Sequence, residues 1–176
     1  TPIATLPFVN ADYLEEFERC LEDLDMAGVQ IFSNDRGRPI DSAEYFALYE
    51  AAAAADVPVW IHPQFHDWYD WLDEYEIHRT FGWPFDTTVA MARLVYAGVF
   101  NRFPELDVVT HHLGGMVPFY AGRVSTFYEA RMNNPELYPH FDAPDLSPIE
   151  EHFRRFHGDT VVGGSTATLT CGREFF

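Results

Sequence analysis

The stretch that decides the fold is residues 101–123, NRFPELDVVTHHLGGMVPFYAGR. Its apolar run 108–110 predicts a short buried strand, and a proline-led apolar helix follows. His111 and His112 lie between the strand and the helix. Their imidazoles are therefore expected at the carboxyl end of a parallel strand, where α/β enzymes place their chemistry.

The charge of the chain excludes several classes of partner. The formal net charge is −17, from 28 acidic and 11 basic residues, and every basic residue is arginine. Such a polyanion repels nucleic acids and anionic membranes, so neither is expected as a partner. An acidic surface without lysine is typical of halophile proteins, in which salt screens the self-repulsion. An ordinary acidic bacterial enzyme is the alternative.

The length and composition fit a single soluble domain. The 176 residues are 47% hydrophobic, which is enough for a sizeable core. No apolar run approaches the ~20 residues of a membrane helix, and the chain does not open on a basic-then-apolar signal segment. We therefore expect a cytoplasmic protein.

Strand and helix patterns alternate along the chain, which predicts an α/β fold with a parallel sheet. The predicted strands are 3–6, 28–32, 57–61, 108–110 and 160–162. The main predicted helices are 11–26, 42–55, 87–101, 118–132 and 166–176, the third of them capped by Asp86. The long aromatic segment 64–86 interrupts the alternation and is expected to form a loop or helical lid over the strand ends.

About five βα units are present, whereas a closed barrel needs eight. Residues 1–176 are therefore expected to form a single partial-barrel domain that looks like an excerpt from a longer protein. A complete five-stranded doubly wound domain is the alternative.

Two predicted strands end in histidine. His62 ends one, and His111 with His112 ends the next along the chain. Imidazole suits a zinc-type metal ion and also acid–base catalysis near neutral pH, although a hydrogen-bonded structural histidine is the alternative for each. Because side chains alternate along a strand, only one of His111 and His112 should point into the site, and spacing does not choose between them.

Several segments together resemble the amidohydrolase-2 branch of the amidohydrolase superfamily, which includes aminocarboxymuconate-semialdehyde and γ-resorcylate decarboxylases. They are GVQIFSNDRGRPIDSAEYFALYEAAAAADVPVWIHP (28–63), FGWPFDTTVAMARLVYAGVFNRFPELDVVTHHLGGMVPFYAGR (81–123) and FHGDT (156–160). The resemblance implies a (β/α)8 TIM barrel of the metal-dependent hydrolase type, of which this chain holds strands 3 to 7. It also implies one divalent metal, usually zinc and in some members manganese.

The resemblance also implies roles for individual residues. His62 matches a metal ligand, and His112 matches a histidine that acts near the metal as acid–base or polarising group, which leaves His111 as a neighbouring group. Arg123 matches an arginine that meets the substrate carboxylate, with a surface ion pair as the alternative. Phe65 and Trp83 are candidates to stack on a planar substrate, with a core role as the alternative.

The chain departs from the family pattern at three of the metal ligands. The H-x-H or E-x-H pair of strand 1 is absent, and so is the aspartate of a strand-8 motif resembling LFGTDYP. Asp159, in FHGDT, matches the strand-7 motif and is a structural or outer-shell candidate only. A metal held by His62 alone would be weak, because catalytic zinc sites use about three protein ligands.

The function expected from this resemblance is metal-dependent, nonoxidative decarboxylation of a small aromatic or unsaturated carboxylic acid. A metal-dependent hydrolase of a lactone, amide or ester is the first alternative. A truncated, inactive barrel that serves as a binding or assembly module is the second. Further copies of the same chain are the expected protein partners.

Overall fold

A computed structural model describes residues 2–6, 12–64 and 70–176. Its strands, in chain order, are β1 (Ala4–Thr5), β2 (Val29–Phe32), β3 (Asn34–Asp35), β4 (Arg38–Pro39), β5 (Val59–His62), β6 (Val108–Thr110) and β7 (Phe156–Gly158). Its α-helices are α1 (Tyr13–Glu22), α2 (Ala43–Ala54), α3 (Trp83–Tyr96), α4 (Val99–Arg102), α5 (Val117–Asn133), α6 (Ile149–Phe153) and α7 (Thr166–Phe175).

The main sheet has five parallel strands in the order β1-β2-β5-β6-β7, and β3 and β4 form a small antiparallel pair. Each strand of the main sheet therefore lies beside the next parallel strand along the chain. A doubly wound sheet instead reverses its strand order at a switch point. The sequential order is that of a barrel wall, so the partial barrel of five strands is confirmed and the doubly wound alternative is wrong.

The two faces of the sheet differ in burial. Val29 and Ile31 of β2 are buried against the core, as are Val59 and Ile61 of β5, and the residues between them are only half-buried. This alternation follows from the period of two along a strand. The largest fully buried side chains among the described residues belong to one hydrophobic core that the helices cover. The other face carries Trp60 and, at its carboxyl end, His62, and corresponds to the inside of a barrel.

Two predicted elements need correction. The helix predicted over 87–101 begins earlier, at Trp83, so Asp86 is a buried residue of its first turn and not its cap. Gly98, at φ 68°, separates this helix from α4. The last strand is Phe156–Gly158 and not 160–162, because the core draws in Phe156, which is 2% exposed, while the chain leaves the sheet after Gly158.

Within the segment 64–86, short helical turns lead into α3. They are the 3-10 turns Asp70–Leu72 and Glu74–Glu76 and the π-helical turn His78–Gly82. Phe65 lies outside the described residues. The segment is therefore largely helical where it is described, and its role as a lid stays a prediction.

None of the helices in the described ranges is both long enough and apolar enough to cross a bilayer.

Candidate functional site

Strand register brings three polar side chains into one line. The ladders pair Ile61 with Thr110 and Thr110 with Gly158 across β5, β6 and β7. The residues that follow these three positions form the strand-end row: His62, His111 and Asp159. The Asp159 N–H donates to the carbonyl of Thr110 at 3.0 Å, which continues the parallel ladder beyond Gly158. The strand-end row therefore lies at the carboxyl edge of three neighbouring strands.

Side-chain contacts join the members of this row. Nδ1 of His111 lies 2.7 Å from Oδ2 of Asp159. The ring centres of His62 and His111 are 4.9 Å apart, with an angle of 66° between their planes. The other carboxylate oxygen of Asp159 accepts from the N–H of Val161 at 3.0 Å, and that of Leu113 lies 3.4 Å away. Asp159 is therefore held from several sides while it holds His111.

His62 is fixed by its own backbone neighbour. Its Nδ1 lies 2.7 Å from the carbonyl oxygen of Pro63, and a carbonyl only accepts, so Nδ1 carries the hydrogen. Burial lowers the pKa of His62, and the nearby His111 lowers it further, although the Pro63 carbonyl opposes the shift. The ring of Trp83 lies beside the imidazole, with ring centres 6.1 Å apart and an angle of 67° between the planes. Burial and the nearby His111 both favour the neutral imidazole, in which Nε2 carries a lone pair.

His112 lies just outside the strand-end row, in a tight turn. His112 and Leu113 have φ values of 56° and 51°, which are left-handed conformations that cost energy for residues with a side chain. The His112 Nδ1 lies 3.4 Å from Oγ1 of Thr87. Burial lowers the pKa of His112, an effect that the Asp159 carboxylate partly opposes. The structure therefore gives His112 a desolvated position beside α3.

The turn that carries His112 is locked by close packing. Gly115, at φ 60°, faces α3 so closely that a Cβ there would lie 2.6 Å from Oγ1 of Thr88. The same hydroxyl oxygen accepts from the N–H of Met116 at 2.8 Å. On the other side, Leu113 packs onto Gly158 of β7 and onto Gly172 of α7. The turn 111–115 is therefore held in its left-handed conformation by its own two glycines and by the room that Gly158 and Gly172 leave for Leu113.

A buried network that no sequence pattern predicts supports the chain after His62. The Asp86 carboxylate accepts a hydrogen bond from the Ser33 hydroxyl and another from the N–H of Gln64 at 3.1 Å. The amide of Asn34 donates to the carbonyl of Gln64 at 2.7 Å. The one sequence signal of this network is an acidic residue, Asp86, directly after the aromatic run FGWPF, and the same pattern also predicts a helix cap.

The other predicted site residues have different outcomes. Trp83 lies beside His62, with ring centres 6.1 Å apart, and its stacking on a substrate stays a prediction. Phe65 lies outside the described residues. Arg123 is exposed, and its guanidinium lies 4.5 Å from the ring centre of Phe127. It lines an open groove of about 730 Å³ with Tyr96, Tyr120, Val124, Phe127, Arg131 and Phe141. That groove contains none of the strand-end histidines, so the role of Arg123 stays a prediction.

The described residues include part of the side-chain donor set that a divalent metal ion needs. Across residues 2–6, 12–64 and 70–176, no set of three His, Cys, Asp or Glu side chains is arranged to hold a metal ion. His62 nevertheless has its hydrogen on Nδ1, which leaves Nε2 for a ligand, and Nε2 of His111 is buried with no hydrogen-bond partner among the described residues. Both are atoms that suit a divalent ion. The donor chemistry fits a metal, with part of the ligand set present.

Comparison with known proteins identifies relatives by sequence. A family model described as "Amidohydrolase" (Amidohydro_2) matches residues 2–155. The chain is 33% identical over 151 residues to 2-amino-3-carboxymuconate-6-semialdehyde decarboxylase of Dictyostelium discoideum, covering 85% of this chain and 40% of that protein. It is 28% identical over 136 residues to a γ-resorcylate decarboxylase of Polaromonas, covering 69% and 40% of the two chains. The chain thus spans less than half the length of these relatives.

Solved structures of decarboxylases have the same fold as this chain. A 5-carboxyvanillate decarboxylase from Sphingomonas paucimobilis superposes with a TM-score of 0.72 at 26% identity, over 92% of this chain and 48% of that one. A manganese-bound dihydroxybenzoic acid decarboxylase from Polaromonas, at 24% identity, has the same fold with a TM-score of 0.70, over 90% and 49%. The family match over most of the chain, with the parallel strand order and these superpositions, shows that the chain belongs to the amidohydrolase family.

Proposed function

We propose that the protein is a metal-dependent, nonoxidative decarboxylase of a small aromatic or unsaturated carboxylic acid. The observation that carries this proposal is the strand-end row, with His112 beside it. Barrel enzymes carry their catalytic residues at the carboxyl ends of neighbouring parallel strands, where these imidazole and carboxylate groups lie. The decarboxylase names of the relatives at 33% and 28% identity support the choice of reaction.

The proposed cofactor is one divalent metal ion, with zinc first and manganese second. Neutral imidazole is a good zinc ligand, and the Polaromonas structure named above holds manganese. His62 would hold the ion through Nε2. When bound, such an ion supplies a Lewis acid that orients the substrate carboxylate and an adjacent oxygen.

His112 is the proposed acid–base residue. Because burial lowers its pKa, its imidazolium form is a stronger acid than an exposed one and gives up its proton more readily. His112 donates this proton to the carbon that bears the carboxylate. The bond between that carbon and the carboxylate then breaks, carbon dioxide leaves, and the bonding electron pair restores the ring or alkene.

Other residues would bind the substrate and exclude water. Trp83 lies against His62 and presents a flat surface for a planar acid. Phe65 and the rest of the segment 64–86 would close over the strand ends. Arg123 would meet a substrate carboxylate through its bidentate guanidinium.

We also propose that the protein is a cytoplasmic homo-oligomer. Helix α5 presents exposed Phe119, Tyr120 and Phe127 together with the guanidinium of Arg123. Aromatic side chains and arginine are the residues enriched at protein–protein interfaces. In a chain of net charge −17, a surface with arginine also suits the acidic surface of a second copy.

The test is turnover by the complete protein loaded with zinc or manganese. Acids named for the relatives, 2,6-dihydroxybenzoate and 5-carboxyvanillate, serve as candidate substrates. We expect release of carbon dioxide, and a fall in kcat of about 10²-fold or more for His112→Ala. His140→Ala, at an exposed position, is the control and should leave kcat unchanged.

Two results would contradict the proposal. If carbon dioxide is not released but lactones or esters are hydrolysed in a metal-dependent way, the hydrolase alternative is correct. If neither reaction occurs with either metal, the enzyme proposal is wrong and the inactive binding or assembly module is favoured. Unchanged turnover in His112→Ala would remove the acid–base role from that residue alone.

A further inference from the structure

His111 has one nitrogen engaged and one without a partner. Its Nδ1 lies 2.7 Å from the Asp159 carboxylate, which only accepts, so Nδ1 is the donor. Its Nε2 is buried and has no hydrogen-bond partner among the residues that the structure describes. A buried polar atom without a partner is costly, and most such atoms are satisfied by a ligand, a water or an ion.

The neighbouring His62 is held in the same way, with Nδ1 bonded to an acceptor. Its Nδ1–H donates to the Pro63 carbonyl, so its Nε2 also carries a lone pair when the ring is neutral. The two imidazoles therefore offer only acceptor nitrogens to their surroundings. Two neutral rings held this way cannot hydrogen-bond to each other through Nε2, so a metal ion or a hydrogen-bond donor has to satisfy these lone pairs.

The separation of the rings fits a shared metal ion. Two imidazoles on one tetrahedral ion, with metal–nitrogen distances of about 2.0–2.1 Å, have ring centres about 5 Å apart. The observed separation of His62 and His111 is 4.9 Å. An N–H that donates to a carboxylate or a backbone carbonyl is also the usual partner of a metal-bound imidazole, since it fixes the tautomer and the direction of the ring.

We propose that His111 binds the same divalent metal ion as His62, through Nε2, and that Asp159 is the positioning residue that orients its ring. This inference rests on the proposed function only for the presence of the metal. It gives His111 a direct role that the family resemblance does not assign. Water or substrate would occupy the remaining coordination positions.

Strand register gives this proposal an independent basis. His62 ends β5, and His111 and Asp159 directly follow the ends of β6 and β7, so the register of these three strands places the three residues side by side. Sites on regular elements hold ligands more precisely than sites on loops. His112, one residue further on, lies in the left-handed turn and keeps its separate role as acid–base residue.

The test is metal binding by the complete protein, with Co²⁺ as the probe. After removal of metal by a chelator, Co²⁺ is titrated and followed by calorimetry and by its visible absorption. The variants are His62→Gln, His111→Gln and Asp159→Asn. Matched controls are His157→Gln and Asp107→Asn, which alter an exposed His–Asp pair 3.3 Å apart in the same sheet.

We expect His111→Gln to weaken Co²⁺ binding at least about 100-fold, and Asp159→Asn about 10-fold or more, since outer-shell partners of metal ligands carry effects of that order. The Co²⁺ affinity of the two control variants should stay within about 2-fold of that of the parent protein. His111→Cys should restore binding and add a sulfur-to-cobalt charge-transfer band, which a purely structural role of His111 would not produce. Far-UV circular dichroism checks that each variant is folded.

The outcomes separate this inference from the proposed function. If the parent chain binds Co²⁺ and only His62→Gln weakens binding, the inference about His111 is wrong while the metal-dependent function stands. If His111→Cys binds without the charge-transfer band, the inference is also wrong. If the parent chain binds neither Co²⁺ nor Zn²⁺ nor Mn²⁺, the inference and the proposed function of this chain both fail.

Discussion

The carboxylate of Asp86 accepts a hydrogen bond from the hydroxyl of Ser33, and this contact joins the first turn of α3 to the end of β2. The same oxygen accepts from the N–H of Gln64, two residues after His62. A residue on α3 thus holds the chain just after the ends of two neighbouring strands, β2 and β5. The contact links the stability of the fold to the position of a candidate ligand.

We predict that Asp86→Ala lowers the free energy of unfolding by about 2–3 kcal/mol, because it leaves the Ser33 hydroxyl and the Gln64 N–H without their charged acceptor. Urea unfolding followed by circular dichroism measures the change. Asp142→Ala removes an exposed carboxylate and should change stability by less than about 0.5 kcal/mol. Equal effects of the two substitutions would show that the network contributes nothing.

Two glycine-to-alanine substitutions should have opposite signs. Gly122 lies inside α5 with nothing within 4 Å of an added Cβ, so Gly122→Ala should stabilise by about 0.5–1 kcal/mol through helix propensity. Gly172 lies inside α7 against Leu113, so Gly172→Ala should destabilise by about 1–3 kcal/mol through overpacking. Thermal unfolding of both variants checks this. A stabilising Gly172→Ala would mean that Leu113 moves aside freely.

Stability of the metal-free chain should rise with pH through the histidine range. Burial lowers the pKa of His62, His112 and His152, whereas the same groups in the unfolded chain titrate near 6.5. The unfolded state therefore binds more protons in this interval, and the free energy of unfolding falls as pH drops below 6.5. Urea midpoints between pH 5.5 and 7.5 measure the slope, at about half-unit steps.

Variants assign this slope to its groups. His112→Gln and His152→Gln should each flatten it, because each removes one group that folding makes harder to protonate. His140→Gln, at an exposed position, serves as the control and should leave the slope as it is. A slope that none of the buried-histidine variants alters would assign the pH dependence to other groups.

Salt should stabilise the chain. With a net charge of −17, like charges repel across the folded surface, and the screening length falls from about 10 Å at 0.1 M salt to about 3 Å at 1 M. We expect the melting temperature to rise by several degrees between dilute buffer and about 2 M KCl. A melting temperature that stays level or falls would contradict the halophile interpretation.

A charge-reduced variant separates this effect from general salt effects. Glu15, Glu18 and Glu22 are exposed on neighbouring turns of α1. Replacing all three with glutamine should raise the melting temperature in dilute buffer and reduce the gain on adding KCl. An unchanged gain would show that surface repulsion is not its source.

Much of the fold follows from the sequence because buried parallel strands and amphipathic helices have distinct periods. The strand at 108–110 and the helix after it were predicted within a residue of their bounds. The last strand was misplaced by four residues because the pattern at 160–162 is as apolar as the true strand, and only packing of Phe156 in the core distinguishes them.

The site was harder to predict because it depends on register between strands. Alternation along β6 places Val109 and then His111 on the face that carries His62, but this follows only once the pairing of Ile61 with Thr110 is known. The spacing of the sequence alone does not show which of His111 and His112 points into the site. The role of Asp86 needed a contact across more than fifty residues of chain, which no local pattern contains.

Leu113 meets two demands at once. Its backbone is left-handed at φ 51°, while its side chain fills the space that Gly158 and Gly172 leave open. Glycine at this position would relax the backbone but leave a hole, and a β-branched residue would fill the hole but resist the conformation. Positions 113, 158 and 172 therefore have to change together. Grafting a foreign α7 onto this scaffold would succeed only if the graft carries a residue without a side chain where it crosses Leu113.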